Sequence, residues 1–518
     1  MFKDFFKLPK FISENVILLY LAFGKFLIHL FVNLTGGYGF FRDEFYYIAC
    51  SEHLDWGYVD QPPLSIVLLK ISRWILGDSL TAIRFFPAVA GAVTLFITGL
   101  IVKKLGGGRF AQILAALSVI IAPRYLGVNN VYSMNSFDIL FWALAAYVII
   151  LIIQNNRHHL WLWLGLILGL GLMNKISILW FGLGLLLGLI FTSHRKSLLT
   201  KWPWLAGLIA FIIFLPYLIW QVVHQWPTLE FIYNATTQKM AAISPVDFLT
   251  AQFLPMNPLT FPIWFCGLLY YLFFKKGRQF RILGIIYLSV LLILIINQKS
   301  RTGYLASAYP MLFASGALVI ETFIQKRNWK GIKFTIIVVI IFGGMVLAPL
   351  ALPVLPVEKY ITYADYLGRK PSTEETKKVG KLPQHYADMF GWEKMVATIA
   401  NVYKNLPSED QLQCVIFTGN YGEAGAVDFL GKKYNLPRAI SGHNNYWMWW
   451  PGDTSIQMVI FFGGPSEETL RLLFKEVEKA AIFTCTYCMP YENNTPIYMC
   501  KNPIEEIKKI WPRIKNYD

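Results

Sequence analysis

Residues 38–64 read YGFFRDEFYYIACSEHLDWGYVDQPPL and follow directly on an apolar run, Val16 to Leu34. An Arg-Asp-Glu triplet (Arg42, Asp43, Glu44) just past a first membrane span decides how the chain is read. Carboxylates are costly beside hydrocarbon, so those kept at its edge usually have a function. The pattern points to a membrane protein that does its chemistry in the loop after its first span.

Of 518 residues, 55% are hydrophobic and 16% aromatic, and only 15% are charged, against about 25% in soluble domains. Those proportions place the chain among polytopic membrane proteins. A net charge of +16 would suit nucleic acid. The Lys and Arg instead fall in short clusters between apolar runs, as the positive-inside rule requires, so no nucleic-acid partner is expected. The N-terminus is basic (Lys3, Lys7, Lys10). The first run is too long for a signal peptide and no small-residue cleavage site follows it, so it is read as a retained span with a cytoplasmic N-terminus.

Eleven runs are long enough, or nearly so, to cross about 30 Å of hydrocarbon. They cover residues 15–35, 80–102, 110–128, 136–154, 159–173, 176–192, 203–222, 259–274, 281–297, 304–324 and 333–353. Alternate connections are basic: Lys103-Lys104-Arg109, Arg157-His158-His159, His194-Arg195-Lys196-Lys201, Lys275-Lys276-Arg278-Arg281 and Lys326-Arg327-Lys330-Lys333. All five fall on the side of the N-terminus, which supports the count. Within 159–192 the pair Asn174-Lys175 interrupts one long apolar stretch. Two spans with a tight outer turn preserve the alternation; a single span reverses it.

The fold class expected is an α-helical polytopic membrane protein of about 11 transmembrane helices with a C-terminal soluble α/β domain. Residues 1–356 form the membrane domain, with 36–79 as its reactive outer loop, and 357–518 form a domain outside the cytoplasm. The tail alternates strand-like runs (Cys414 to Thr418, Met458 to Phe462) with helical patterns (Trp392 to Tyr403, Glu423 to Tyr434, Glu467 to Ala480), as a small α/β sandwich does. Four of six cysteines lie there: Cys414, Cys485, Cys488 and Cys500. A disulfide, a zinc site built from all four, and free buried thiols are each compatible with their positions.

Asp43 has two readings. It is either the N-cap of a helix from Glu44 to Leu54 or a working carboxylate. Capping needs one short polar residue and leaves Glu44, Arg42, Glu52, Asp55 and Asp60 unexplained. Asp60-Gln61-Pro62-Pro63-Leu64 is a rigid turn, because two prolines fix φ and press Gln61 into extended geometry. It leads into an interfacial helix, Leu64 to Leu76, or folds the loop back over Asp43. At the start of the fourth span, SMNSFD (133–138) offers Ser136 as an N-cap with Asp138 in the first turn. Asp138 lies on the same membrane face as Asp43, and two acids brought together there could bind an acceptor, a sugar or a cation. Outer-side cations form the complementary set: Arg84, Arg124, Lys175, Lys299 and Arg301. Each either snorkels to headgroups or holds a phosphate. Lys299-Ser-Arg301-Thr-Gly-Tyr304 supplies two cations and a hydroxyl suited to the latter. His29, His53 and His224 lack metal-ligand spacing, and no Walker loop, dinucleotide loop or Gly-x-Ser-x-Gly elbow is present.

The run RDEFYYIA…GYVDQPPL…AIRFFPAVAG resembles glycosyltransferase family 39, the bacterial branch related to protein O-mannosyltransferases and to the aminoarabinose transferase that modifies lipid A. The resemblance spans residues 36–310. It implies a GT-C fold and transfer of a sugar from a polyprenyl-phosphate carrier to a glycan, lipid or protein acceptor outside the cytoplasmic membrane, with inversion. It further implies Asp43 as catalytic base with Glu44 as its partner. Asp138, Asp60, Gln61, Arg84 and Asn135 would bind substrate, and Lys175, Lys299, Arg301 and Tyr304 would hold the donor phosphate. No cofactor is required, although a divalent cation could bridge acids and phosphate. The tail motifs HYADMFGWEKMV, NYGEAGAVDFL and SGHNNYWMW (from His385, Asn420 and Ser441) are similar to a C-terminal domain of uncharacterised bacterial members, not to the tails of the mannosyltransferases or the aminoarabinose enzyme. The chief alternative is a transporter or flippase of a lipid-linked or anionic substrate. Its substrate groups would sit near the midplane on broken helices. A glycan-binding assembly protein with a degenerate membrane part is a second.

Overall fold

Each of the eleven apolar runs falls on a helix in the computed structural model, which describes residues 10–155, 157–450, 452 and 456–518. Lys3 and Lys7 lie outside the described residues. Among the described residues seven helices are long and apolar enough to cross a membrane: Val16–Thr35, Phe85–Leu105, Met134–Asn155, Lys201–Val223, Arg278–Asn297, Thr302–Lys326 and Ile332–Leu350. An eighth, Ile178–Ile190, meets the same test together with Ser193–Leu199, across a 106° bend. Arg109–Ile121, Leu160–Asn174 and Pro258–Phe273 are apolar but shorter. The protein is thus a multi-pass membrane protein. At Lys175 the backbone is extended (φ −158°, ψ 131°), which ends one helix and lets Ile178 open the next. The stretch 159–192 is two helices.

The chain divides into two compact units. One comprises Met1–Gly36, Thr81–Pro216 and Ala242–Val354; the other comprises Gly37–Leu80, Tyr217–Ala241 and Leu355–Asp518. The first is the helical membrane unit. Lipid tails give helices no hydrophobic reason to associate, so close backbone approach through small residues matters there. At Gly316 a Cβ would lie 1.7 Å from the Ile263 carbonyl oxygen, and at Gly267 one would lie 2.0 Å from that of Leu312. The helices of residues 261–273 and 309–326 therefore pack backbone to backbone. Ser315 completes that seam by donating to the Gly267 carbonyl at 3.2 Å.

The second unit is built on a five-stranded sheet. Its strands are β1 (Cys414–Thr418), β2 (Ala439–Ile440), β3 (Met458–Phe462), β4 (Phe474–Phe483) and β5 (Thr495–Pro503), ordered β2-β1-β3-β5-β4. β1 runs parallel to β2 and β3, and β5 antiparallel to β3 and β4. Val459, Phe461, Phe474 and Cys500 form one apolar core with Leu470. The helix expected over Glu467 to Ala480 stops at Leu473 and the chain continues as β4. Its Glu, Lys and Ala are helix formers in isolation. Pairing with β5 overrides that preference, and Lys and Glu are residues that protect an exposed sheet edge.

Candidate active site

The loop after the first span forms helix α1 (Arg42–Glu52) and helix α2 (Leu64–Leu76). α2 has the bounds and the exposed apolar side (Trp74, Ile75, Ile71) expected of an interfacial helix. α1 starts two residues earlier than expected. Its N-cap is Phe41, and the buried Glu44 side chain accepts the Phe41 N–H at 2.8 Å. Asp43 is therefore not the cap, and its carboxylate is left for other partners.

Those partners come from the tail. Tyr421 donates its hydroxyl to Asp43 Oδ1 at 3.0 Å, and Arg42 Nε lies 3.3 Å from the same oxygen. Arg42 is itself held by Tyr491 Oη at 3.0 Å and lies 3.7 Å from Asp388 Oδ2. Tyr421 opens helix α3 (Tyr421–Leu430), capped by Asn420. α3 lies against α1 closely enough that a Cβ at Gly425 would meet the Phe45 carbonyl at 2.7 Å, and one at Gly422 the Arg42 side chain at 2.3 Å. Asn445 accepts from Tyr46 Oη (2.7 Å) and from the Val59 N–H (2.8 Å). Trp392 packs edge-on to Phe45, and Trp449 stacks on His53. All three tail motifs quoted from the sequence thus converge on α1.

Charge around Asp43 is uneven. Burial pushes Asp60 up to about 7; the hydrogen bond from Tyr46 opposes the rise and the Asp43 charge adds to it. Burial also raises Asp388 against the pull of Arg42. Glu423, buried at the start of α3, is pushed up to about 8. Asp43 keeps 24% of its side chain exposed and has a guanidinium beside it. It is the acid of this group that combines a cation, a hydroxyl donor and a solvent face.

A separate polar cleft lies within the membrane unit, lined among others by Arg124, Asn135, Asp138, Lys175, Tyr304 and Ser307. Pro123 breaks the third apolar run and starts a short helix that carries Arg124. The guanidinium rests on Gly303, where a Cβ would come within 2.2 Å of it. Lys175 donates to Asn135 Oδ1 at 2.7 Å and sits 4.7 Å from the centre of the Tyr304 ring. Asp138 accepts from Ser177 at 2.8 Å and from Ser307 at 2.6 Å, which ties three helical segments together. Ser136 is not the N-cap of its helix. The helix begins at Met134, so Asp138 lies past the first turn, and Ser136 donates instead to the Val128 carbonyl at 2.7 Å.

Of the residues singled out from sequence, Arg124, Asn135, Asp138, Lys175 and Tyr304 share the cleft. Lys299 and Arg301 lie in the same loop as Tyr304 but do not line it. Arg84 is buried in the membrane unit with its Nη1 3.5 Å from Asn33 Oδ1. Gln61 is buried in the turn, where its carbonyl accepts the Tyr58 N–H at 3.0 Å. Sequence reasoning missed Tyr421, Asp388 and Asn445 as site residues, although each lies inside a motif it quoted. It also missed Ser177 and Ser307. Among the described residues no group of three or more His, Cys, Asp or Glu is placed to hold a metal ion. The four tail cysteines do not converge on a zinc site.

The fold has solved counterparts. ArnT from Cupriavidus metallidurans in the apo state superposes with a TM-score of 0.60 at 12% identity, over 95% of this chain and 98% of that one. The chain has the GT-C glycosyltransferase fold. ArnT bound to undecaprenyl phosphate gives a TM-score of 0.57 at 12% identity over 94% and 98% of the two chains. The Archaeoglobus fulgidus oligosaccharyltransferase in its apo form is more distant, with a TM-score of 0.48 at 13% identity over 85% and 69%. The family model described as dolichyl-phosphate-mannose-protein mannosyltransferase matches residues 60–220. No curated protein matches by sequence. The chain thus shares the fold of ArnT, and its residues 60–220 are similar to the mannosyltransferase family model. With 95% of the chain covered, the likeness in fold extends into the tail, whose sequence motifs resemble neither enzyme.

Proposed function

We propose that this protein is a membrane glycosyltransferase that moves a sugar from a polyprenyl-phosphate donor to an acceptor outside the cytoplasmic membrane. Asp43 acts as the base and the configuration inverts. The observation that carries the proposal is Asp43 itself. On a GT-C fold, a partly exposed carboxylate stands free of capping duty, oriented by Arg42 and Tyr421. Phosphate on a polyprenyl chain is already a good leaving group, so the protein must do two things. It must take a proton from the acceptor hydroxyl, which suits a positioned carboxylate. It must also stabilise charge gathering on the departing phosphate, which suits fixed cations. Lys175 and Arg124 in the membrane-unit cleft fit that second task, with Tyr304 and the Lys299–Arg301 loop beside them. Glu44 supports Asp43 by closing the first turn of α1, and Asp60 and Gln61 shape the turn beyond it. A single displacement at the anomeric carbon needs no covalent intermediate and inverts. The protein in detergent, given polyprenyl-phosphate sugars and an envelope extract as acceptor, should release polyprenyl phosphate and label the acceptor. Binding of the lipid with no sugar transferred would favour a transporter or flippase.

A further inference from the structure

The loop joining β4 to β5 carries Cys485-Thr-Tyr-Cys488, a C-x-x-C spacing that the glycosyl-transfer chemistry does not use. Both cysteines are free thiols. The Cys488 N–H donates to Cys485 Sγ at 3.2 Å, and the Cys488 thiol donates to the Cys485 carbonyl at 3.3 Å. The turn therefore holds each sulfur against the backbone of the other cysteine. Their exposures differ: Cys485 is partly exposed and Cys488 is buried. That is the asymmetry of an attacking thiol and a resolving thiol. Lys394 stands over the loop, donating to the Thr484 carbonyl at 2.8 Å and to its hydroxyl at 3.0 Å. The Cys488 thiol, with Lys394 helping, holds Cys485 below the usual thiol range against the opposing effect of burial. A lowered thiol in a C-x-x-C turn beside a lysine is nucleophilic at neutral pH. Room for the sulfur comes from Gly391, whose added Cβ would lie 3.0 Å from Cys485 Sγ. The other two tail thiols are differently placed. Cys414 lies on β1 and Cys500 on β5, with β3 between the two strands.

We propose that Cys485 and Cys488 form a dithiol–disulfide exchange site that reacts with a low-molecular disulfide. The Cys485 thiolate attacks one sulfur of the disulfide RS–SR, forming Cys485–S–SR and releasing RS⁻. The Cys488 thiol, losing its proton, then attacks the Cys485 sulfur and expels the second RS⁻, which takes up that proton. The protein loses two electrons to become the Cys485–Cys488 disulfide, and RS–SR is reduced to two thiols. Excess thiol reverses both steps.

The test uses the full-length protein in detergent, equilibrated in glutathione buffers from fully reduced to fully oxidised. The samples are then quenched in acid, alkylated and digested, and the 485–488 peptide is read by mass. The expected result is one reversible transition between a doubly alkylated and an internally disulfide-bonded peptide. Cys485 should alkylate about tenfold or more faster than Cys414 or Cys500 at neutral pH. Cys488→Ser should accumulate glutathione on Cys485 as a mixed disulfide. Cys485→Ser should leave Cys488 unmodified. Three outcomes would overturn the proposal. They are a pair that stays dithiol in oxidised glutathione while the protein remains folded, a disulfide that no reductant opens short of unfolding, and a Cys488→Ser variant that takes up no glutathione.

Discussion

Asp43 differs from the acids around it in what it touches. Glu44 closes a helix, Asp60 is tied to Tyr46, and Asp388 lies buried beside Arg42. Asp43 alone of these joins a guanidinium to a partly open face. Asp43→Asn keeps the size and the oxygen that Tyr421 and Arg42 hold, but it cannot take a proton. Turnover by the variant in detergent, at matched melting temperature, should fall by ~100-fold or more; wild-type turnover would remove Asp43 from the chemistry. Glu44→Gln retains an oxygen for the Phe41 N–H and should be far milder. In the proposed reaction Lys175 serves the other half, the donor phosphate. Lys175→Ala should weaken use of the lipid donor by the worth of a charge-assisted hydrogen bond, about 1.5–3 kcal/mol. It should show in the KM for donor and not in the KM for acceptor. An unchanged donor KM would assign Lys175 to bracing Asn135. Asp43, Asp138 and Lys175 were legible in the sequence because a charge between apolar runs stands out. Tyr421 was not, because it reaches Asp43 from 378 residues away and tyrosine is common in this chain.

Helix α1 shows what an element adds. Its bounds were nearly legible, but its cap was not. A Phe41 N-cap served by Glu44 gives no side-chain signature at the cap position, and a short polar residue, Asp43, stood where a cap is usually sought. Its partners on the tail side were invisible for a different reason, since three separate motifs supply them. The turn after α1 carries a stability consequence. Asp60 has a usual value of 3.8 and is lifted to about 7 in the fold, chiefly by burial. A raised carboxyl binds its proton more tightly folded than unfolded. It therefore costs nothing below the unfolded value and takes stability away as pH rises from about 4 through about 7. Asp60→Asn keeps an acceptor for Tyr46 and removes that cost, on the order of 1–3 kcal/mol after allowance for partial exposure. The variant should melt higher than wild type near pH 8, and the gap should close near pH 4. A variant that melts lower near pH 8 would mean that the Asp60 carboxylate is held ionised by its neighbours.

At the scale of the molecule, hydropathy placed the long apolar helices of the membrane unit, because a span must be a long apolar helix and little else in a sequence looks like one. Hydropathy and charge put residues 36–79, 223–258 and the tail on one side of the membrane, but gave no sign that residues 37–80 and 217–241 pack into one unit with the tail. That grouping rests on packing between segments hundreds of residues apart. Nor did they separate β4 from the helix before it, where edge-strand residues have helical composition. Which side of the membrane each part occupies follows from the charges between helices. The connection at Lys275–Arg281 is strongly basic and should face the cytoplasm. Three helices follow it before the tail: Arg278–Asn297, Thr302–Lys326 and Ile332–Leu350, each long and apolar enough to cross. If all three cross, the tail should lie on the opposite side, whatever the shorter helices upstream do. In a cysteine-free background, Lys276→Cys and Arg369→Cys place single thiols at exposed positions on either side of those three helices. A membrane-impermeant maleimide applied to intact cells whose outer layer has been opened should label Arg369→Cys and spare Lys276→Cys until the membrane is permeabilised. Protection of both positions until the membrane is permeabilised would mean that one of the three helices does not cross. The tail would then lie in the cytoplasm, and so would Asp43, which is bound to it through Tyr421; no acceptor outside the cell could be glycosylated there.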